Sequence, residues 1–191
     1  MRRALSQLPL LRVLVGGWLA ALLLSAAPVR AQGIELAALQ LGRAEGALTL
    51  EFNLRLKLSH ALEDALQRGV PMYFSAEATL LRGRWYWRDE RIARVNRNWR
   101  LSYQPLTASW RLSLGGLAQS FPTLAEALAP MTRVSGWQLT ELERLEPGER
   151  YYVEFAWKLD STQLPQPMQL DLGADWKLSI ERTIRVDARS E

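Results

Sequence analysis

Strict alternation of apolar and polar residues is the feature that most constrains the fold of this chain. Between Leu48 and Ser59 every second residue is apolar, and the residues between them are polar or charged. Successive side chains of a β-strand point to opposite faces, so this period predicts a strand with one buried and one wet face. Residues 151–160 repeat the pattern, and residues 72–80 follow it more loosely.

The same period predicts further strands along the chain. They are Ile34–Leu41, Arg84–Arg88, Ala93–Tyr103, Ser109–Leu114, Gly136–Leu142 and Trp176–Val186. Strands that each carry one apolar face need a second sheet to cover it. The predicted fold class is therefore mainly β: an immunoglobulin-like antiparallel β-sandwich with two short connecting helices.

Two segments that break the alternation predict these helices. Ser59 can cap the first helix, which Gly69 and Pro71 would end. The second begins at Thr123, which has capping-box spacing to Glu126. We expect both helices to connect one sheet to the other.

The amino-terminal residues have the pattern of a secretory signal peptide. Arg2, Arg3 and Arg12 precede an apolar run from Val13 to Ala27, and Pro28 is followed by small residues at the two positions that signal peptidase reads, Val29 and Ala31. We predict cleavage after Ala31, a single periplasmic domain of residues 32–191, and membrane contact only in transit. The alternative is an uncleaved anchor, but the apolar run is shorter than the about 20 residues of a transmembrane helix.

Loss of the leader changes the charge of the domain. The chain has 24 basic and 20 acidic residues. Four of the basic residues and none of the acidic ones precede residue 32, so 20 of each remain. The pI of about 9.8 is therefore no argument for a nucleic-acid partner. The chain also contains no cysteine, so the stability of an exported domain must come from burial alone.

The residue inventory excludes most kinds of catalytic site. A serine triad would need His60 as its base, because it is the one histidine in the chain. His60 falls at the start of the first predicted helix, where a solvated side chain is expected. Zinc sites need several histidines or cysteines, and no glycine-rich phosphate loop is present. We predict no catalytic residue, no metal and no cofactor.

Asp89 and Glu90 are an adjacent carboxylate pair in an aromatic-rich segment. A glycosidase needs two carboxyl groups flanking one bond. Neighbouring residues on a strand point to opposite faces, so the preferred interpretation is a charged turn.

An unusual stretch between Arg82 and Trp110 interleaves seven arginines with six aromatic residues. Arginine and aromatic side chains suit the capture of carboxylate or phosphate groups, as in an anionic glycan, lipid headgroup or peptide. The alternative is an ordinary core strand with an arginine-covered outer face, in which Trp85 and Trp87 point inwards. The candidate binding residues are Arg84, Trp85, Tyr86, Trp87, Arg88, Asp89, Glu90, Trp99 and Tyr103.

Four motifs in order give the chain a family resemblance. They are Arg84-Trp85-Tyr86-Trp87-Arg88-Asp89-Glu90, then Leu101-Ser102-Tyr103 with Leu106-Thr107, then residues 121–128, and Leu159-Asp160 with Leu164-Pro165-Gln166-Pro167. Over residues 46–185 the chain resembles a proteobacterial family of small exported proteins known only as a domain of unknown function. Members are often encoded beside a nitrogen-regulation-type sensor kinase and its response regulator. The resemblance implies an envelope partner and assigns no catalytic residue.

Two functions are consistent with these observations. The first is a non-enzymatic periplasmic interaction module that docks through a sheet edge or the Arg/Trp surface onto a membrane sensor or other envelope protein. The alternative is a carbohydrate or anionic-ligand binder, or a hydrolase, that uses exposed tryptophans. Exposure of the tryptophans distinguishes the two.

Overall fold

The computed structural model describes residues 33–86, 88–163 and 177–186, which contain nine strands and two α-helices. The strands are β1 (Ile34–Ala44), β2 (Ala47–Leu56), β3 (Met72–Arg82), β4 (Glu90–Gln104), β5 (Ser109–Leu114), β6 (Leu117–Phe121), β7 (Arg133–Glu141), β8 (Tyr151–Leu159) and β9 (Ser179–Arg185). The helices are α1 (His60–Gln67) and α2 (Leu124–Thr132), and short 3-10 turns span Leu142–Arg144 and Ser161–Gln163. The predicted signal peptide lies outside the described residues.

The strands form two antiparallel sheets, which confirms the predicted mainly β class. The smaller sheet has the order β1-β2-β7, and the larger has the order β6-β5-β4-β3-β8-β9. The two sheets share one apolar core, as expected of a sandwich. The division into three and six strands differs from the four and three strands of an immunoglobulin constant domain.

The core forms where the alternating faces of the two sheets meet. On β2 the residues Leu48, Leu50 and Phe52 are buried, while the residues between them face outwards or are half-buried. On β8 the inward residues include Phe155, whose ring centroid lies 4.9 Å from that of Phe52. The two aromatic rings join the small sheet to the large one.

Both helices begin at the predicted caps. The Oγ of Ser59 accepts the backbone N–H of Leu62 at 3.3 Å, and the Oγ1 of Thr123 accepts that of Glu126 at 3.3 Å. Helix α2 connects β6 to β7, and its carbonyl at Met131 accepts the indole N–H of the buried Trp157 at 3.3 Å. No helix in the described part of the chain has the length and apolar character needed to cross a membrane.

The strand predicted at Arg84–Arg88 is wrong. These positions belong to the loop between β3 and β4, and Trp87 itself lies outside the described residues. The carboxylate of Asp89 accepts the backbone N–H of Arg84 at 3.0 Å, so the chain is turning back here and cannot continue as a strand. The alternation of residues in this segment is therefore compatible with a loop as well as with a strand.

The sequence also failed to predict β6. Its residues 117–120 are all exposed, so they show no alternation between a buried and a wet face. The signal that could have found it is Gly115-Gly116 between two leucines. Their φ values of 55° and 92° build a tight two-residue hairpin turn, a conformation that glycine adopts without strain.

Candidate functional site

The loop between β3 and β4 presents aromatic side chains to solvent. Trp85 is 93% exposed and Tyr86 is 69% exposed, and their rings meet edge to face with centroids 4.9 Å apart. Arg84 and Arg88, which flank them, are exposed as well. An aromatic pair held in water is unfavourable unless another surface covers it, so this loop is the candidate binding site.

Ion pairs hold the base of the loop. Glu90, the first residue of β4, bonds through one carboxylate oxygen to both Arg82 and Arg84. Arg82 also reaches Glu146 at 2.7 Å, and its side chain is only 15% exposed. The hydrogen bond from Arg82, and then the charges of Arg82 and Arg84, lower the pKa of the Glu90 carboxyl. The network therefore joins both ends of the loop to the chain that leads into β8.

Asp89 forms two further hydrogen bonds that hold the loop. Its Oδ1 accepts the backbone N–H of Arg84 at 3.0 Å, and its Oδ2 accepts the hydroxyl of Tyr152 on β8. The hydrogen bond from Tyr152 is the main reason that the pKa of Asp89 is lowered. The same bond raises the pKa of Tyr152 to about 12, because the neutral phenol is the form that can donate.

A backbone contact completes the attachment. The N–H of Gly83 donates to the carbonyl of Arg150 at 2.9 Å, directly before β8 begins. The loop is thus tied to β3, to β4 and to the β8 side of the sheet. Such ties favour one loop conformation and reduce the entropy lost when a partner binds.

The two carboxylates of the site are placed as structural anchors. Asp89 faces Tyr152, while Glu90 faces Arg82 and Arg84. Both carboxyl pKa values are lowered, whereas the general acid of a glycosidase needs a raised pKa. This geometry agrees with the charged-turn interpretation of the pair.

The remaining aromatic candidates lie away from the loop. Trp99 is 2% exposed and belongs to the core, where it faces Phe74 across the β3–β4 register. Tyr103 is half-buried and packs on the buried Trp110 with ring centroids 4.9 Å apart. The structure therefore groups Arg84, Trp85, Tyr86, Arg88, Asp89 and Glu90 at one loop and separates Trp99 and Tyr103 from them.

The orientation of Trp85 corrects one expectation. The core-strand interpretation placed Trp85 on the buried face, but the loop turns its side chain into solvent. Trp99 on β4 and Trp110 on β5 are buried, as the core-strand interpretation requires of an inward-facing tryptophan. The described tryptophans thus form neither a fully buried set nor an exposed row.

The arginines of β4 have separate roles. Arg94 donates to Glu77 at 2.6 Å on the outer face of the large sheet. Arg97 shares the inner face with Trp99, and its guanidinium carbon lies 5.2 Å from the ring centroid of Trp137. Burial lowers the pKa of Arg97. The arginine stretch is therefore not one continuous binding surface.

His60 lies on the exposed surface of α1. The side chain of His60 is 88% exposed and lies 3.7 Å from Asp64 within α1. Within residues 33–86, 88–163 and 177–186, no group of three or more His, Cys, Asp or Glu side chains could hold a metal ion.

Two supporting residues of the loop were not predicted. Tyr152 and Glu146 lie more than fifty positions along the chain, and only the tertiary fold brings them to Asp89 and Arg82. One signal for Tyr152 was available, since it is an aromatic residue on the wet face of an alternating strand. Glu146 had no such signal.

Comparison with known proteins gives one match. A family model described as "Domain of unknown function (DUF4390)" matches residues 31–185. No curated protein and no solved structure matches the chain.

Proposed function

Since the chain belongs to the DUF4390 family of domains of unknown function, whose description carries no activity, we propose a role from the candidate site alone. The protein is a non-enzymatic interaction module of the bacterial envelope. It docks through the β3–β4 loop onto a membrane protein, for which the outer domain of a sensor kinase is the proposed example.

The observation that carries this proposal is the exposure of Trp85 on a braced loop. A tryptophan that is 93% exposed loses the benefit of burial unless a partner covers it. Tryptophan, tyrosine and arginine are the residue types that dominate binding energy at protein interfaces. All three are present within the short run from Arg84 to Arg88.

The charges of the loop suggest the chemistry of the partner. Glu90 and Glu146 together balance the charges of Arg82 and Arg84, while Arg88 and Arg91 are exposed and form no ion pair among those of the described residues. A partner surface that fits this arrangement has an apolar pocket for Trp85 and carboxylates at its rim.

The proposed location of the protein in the envelope depends on the predicted signal peptide at its amino terminus. The family match begins at residue 31, the residue after which we predict cleavage of the signal peptide. The family domain and the predicted mature domain thus begin within one residue of each other, which supports export of the module.

Site-specific photo-crosslinking in intact cells tests the docking. A benzophenone amino acid placed at Tyr86, whose ring contacts that of Trp85, is expected to form an adduct with a membrane protein. The matched control carries the same probe at Leu106, which is fully exposed on the turn between β4 and β5. Because β4 separates the two positions, the control is expected to give no such adduct.

A substitution supplies the second arm of that experiment. Trp85→Ala is expected to weaken capture of the crosslinked protein at least ~10-fold, since loss of a central aromatic anchor costs about 2 kcal/mol or more. Leu106→Ala should leave capture unchanged. Equal adducts from both probe positions, or capture that survives Trp85→Ala, would contradict docking through the loop.

The second candidate function is binding of a carbohydrate or anionic ligand at the same loop. The observation that favours it is the exposed Trp85–Tyr86 pair on the same loop as the exposed Arg88, which suits stacking and carboxylate capture. Fluorescence titration with peptidoglycan fragments and acidic glycans tests it, with Trp85→Phe as the reference. A response that disappears in Trp85→Phe supports binding at the loop, and a flat response rejects it.

A further inference from the structure

The two sheets have four edge strands, and three of them carry features that block strand addition. β1 has a register shift beside Ala38, and β7 shifts twice against β2. β9 contains the charged residues Glu181, Arg182 and Arg185. Charges and bulges of this kind are how natural proteins prevent their sheet edges from pairing with other chains.

The fourth edge, β6, has none of these features. No charged residue occurs between Arg111 and Glu126, a stretch that includes the whole strand. Leu117 is 82% exposed, and Leu114 opposite it is 37% exposed. The edge strand is therefore uncharged, and it continues an apolar patch on the inner face of the β5–β6 hairpin. An exposed, uncharged edge leaves its backbone groups available to another strand.

The hairpin turn fixes which backbone groups of β6 are available. Gly115 and Gly116 form a two-residue loop, so Leu114 and Leu117 are the hydrogen-bonded pair that closes it. Alternate residues of an antiparallel strand turn their N–H and C=O groups to opposite sides. The groups of Ala118 therefore point to the free edge, and those of Ser120 do the same.

We propose that β6 pairs with β6 of a second copy of this chain, antiparallel and centred on Gln119. In this register Ala118 lies opposite the partner's Ser120, and each such pair exchanges two hydrogen bonds, about four in total. Leu117 lies opposite the partner's Phe121, which covers the exposed leucine with an aromatic ring. The two large sheets become one continuous sheet across a two-fold axis.

The sequence of β6 is self-complementary in this register. Moving the centre by one residue in either direction places Gln119 opposite Leu117 or Phe121, so that an amide faces an apolar side chain. Centring on Gln119 instead places amide against amide, and small residues against small residues. An uncharged strand also brings no like charges together when it meets its own copy.

The proposal is independent of docking through the β3–β4 loop. That loop lies at the end of β4 that begins with Glu90, whereas β6 is the outer strand beyond β5. The interface can fail while the loop still binds its partner, and the reverse also holds.

Charge substitution at the centre of the interface tests the pairing. The purified protein is expected to sediment as a dimer at micromolar concentration. Gln119→Lys places two ammonium groups opposite each other and should raise the dimer dissociation constant at least ~10-fold. Gln119 is exposed in the single chain, so the variant should keep its fold, which circular dichroism checks. Leu106→Lys, at the exposed turn between β4 and β5 and outside β6, is the matched control.

A charge-swap experiment tests the register itself. Gln119→Glu alone should also dissociate, but an equimolar mixture of Gln119→Lys and Gln119→Glu is expected to form heterodimers, because opposite charges then meet. Recovery of dimer in the mixture requires position 119 of one copy to lie beside position 119 of the other.

Cysteine crosslinking gives an independent readout, because the natural chain has no cysteine. Under mild oxidation Gln119→Cys should form a disulfide between copies, since the two positions face each other in a non-hydrogen-bonded pair, the closer kind, whose Cβ atoms approach the separation of about 3.5–4.5 Å that a disulfide spans. Ser113→Cys, on the neighbouring strand β5, should not. A monomeric natural protein, a Gln119→Lys variant that remains dimeric, or equal crosslinking of the two cysteine variants would each overturn the proposal.

Discussion

At the scale of single residues, the contact between Tyr152 and Asp89 makes the loop sensitive to extremes of pH. The pKa of Asp89 is lowered, so its contribution to stability is present above the ordinary value of 3.8 and is lost as the pH falls below it. The pKa of Tyr152 is raised to about 12, so its contribution is present below 10.0 and is lost as the pH rises towards 12. Between these limits the loop keeps both anchors.

Replacement of Asp89 by asparagine should change the titration of Tyr152. Without the carboxylate the phenol no longer donates to a charged acceptor, so the pKa of Tyr152 should fall from about 12 towards 10.0. Absorbance of the phenolate between pH 9 and 13 measures the change as a difference between Asp89→Asn and the natural protein. Asp160→Asn, which removes a carboxylate bonded to Thr162, serves as the control. An unchanged titration curve would contradict the contact.

The β3–β4 loop could be predicted from the sequence only in part. Composition and spacing were sufficient to single out the run from Arg84 to Glu90. They could not separate Trp85, which is exposed, from Trp99, which is buried, because both occupy alternating positions among arginines. The difference comes from the turn that Asp89 and Tyr152 fix, and Tyr152 is distant in sequence.

At the scale of elements, the cap of α2 should contribute measurably to stability. The hydroxyl of Thr123 accepts the backbone N–H of Glu126 at 3.3 Å. It also donates to the side-chain carboxylate of Glu126 at 2.9 Å. Thr123→Ala should lower the free energy of unfolding by about 1 kcal/mol, while Thr123→Ser should restore most of it. Urea denaturation monitored by circular dichroism gives both values. Equal losses in the two variants would show that the hydroxyl is not the stabilising group.

Strands with one mostly buried face were the elements that the sequence predicted well. β2, β5 and β8 lie within two or three residues of their predicted bounds, because the core imposes a period of two on them. β6 is exposed along its length and therefore carries no such pattern. The order of the strands could not be predicted, since alternation identifies a buried face without identifying its neighbours.

At the scale of the whole molecule, burial has to supply the stability of a chain without cysteine. Phe155 is 1% exposed and contacts Phe52 across the two sheets. Phe155→Ala should lower the free energy of unfolding by about 3–5 kcal/mol, whereas Tyr86→Ala on the exposed loop should change it by no more than about 0.5 kcal/mol. Because the sheets share one core, unfolding followed by circular dichroism and by tryptophan fluorescence should give coincident transitions. Separate transitions would show that the sheets unfold independently.

The attachments of the β3–β4 loop have a mechanical consequence. Gly83 bonds to Arg150 and Asp89 bonds to Tyr152, so the aromatic tip is braced against β3, β4 and β8, which are adjacent strands of the large sheet. A molecule bound at Trp85 would therefore not be attached through a flexible segment. It would set the angle at which the entire sheet, and every edge of it, is presented to its surroundings.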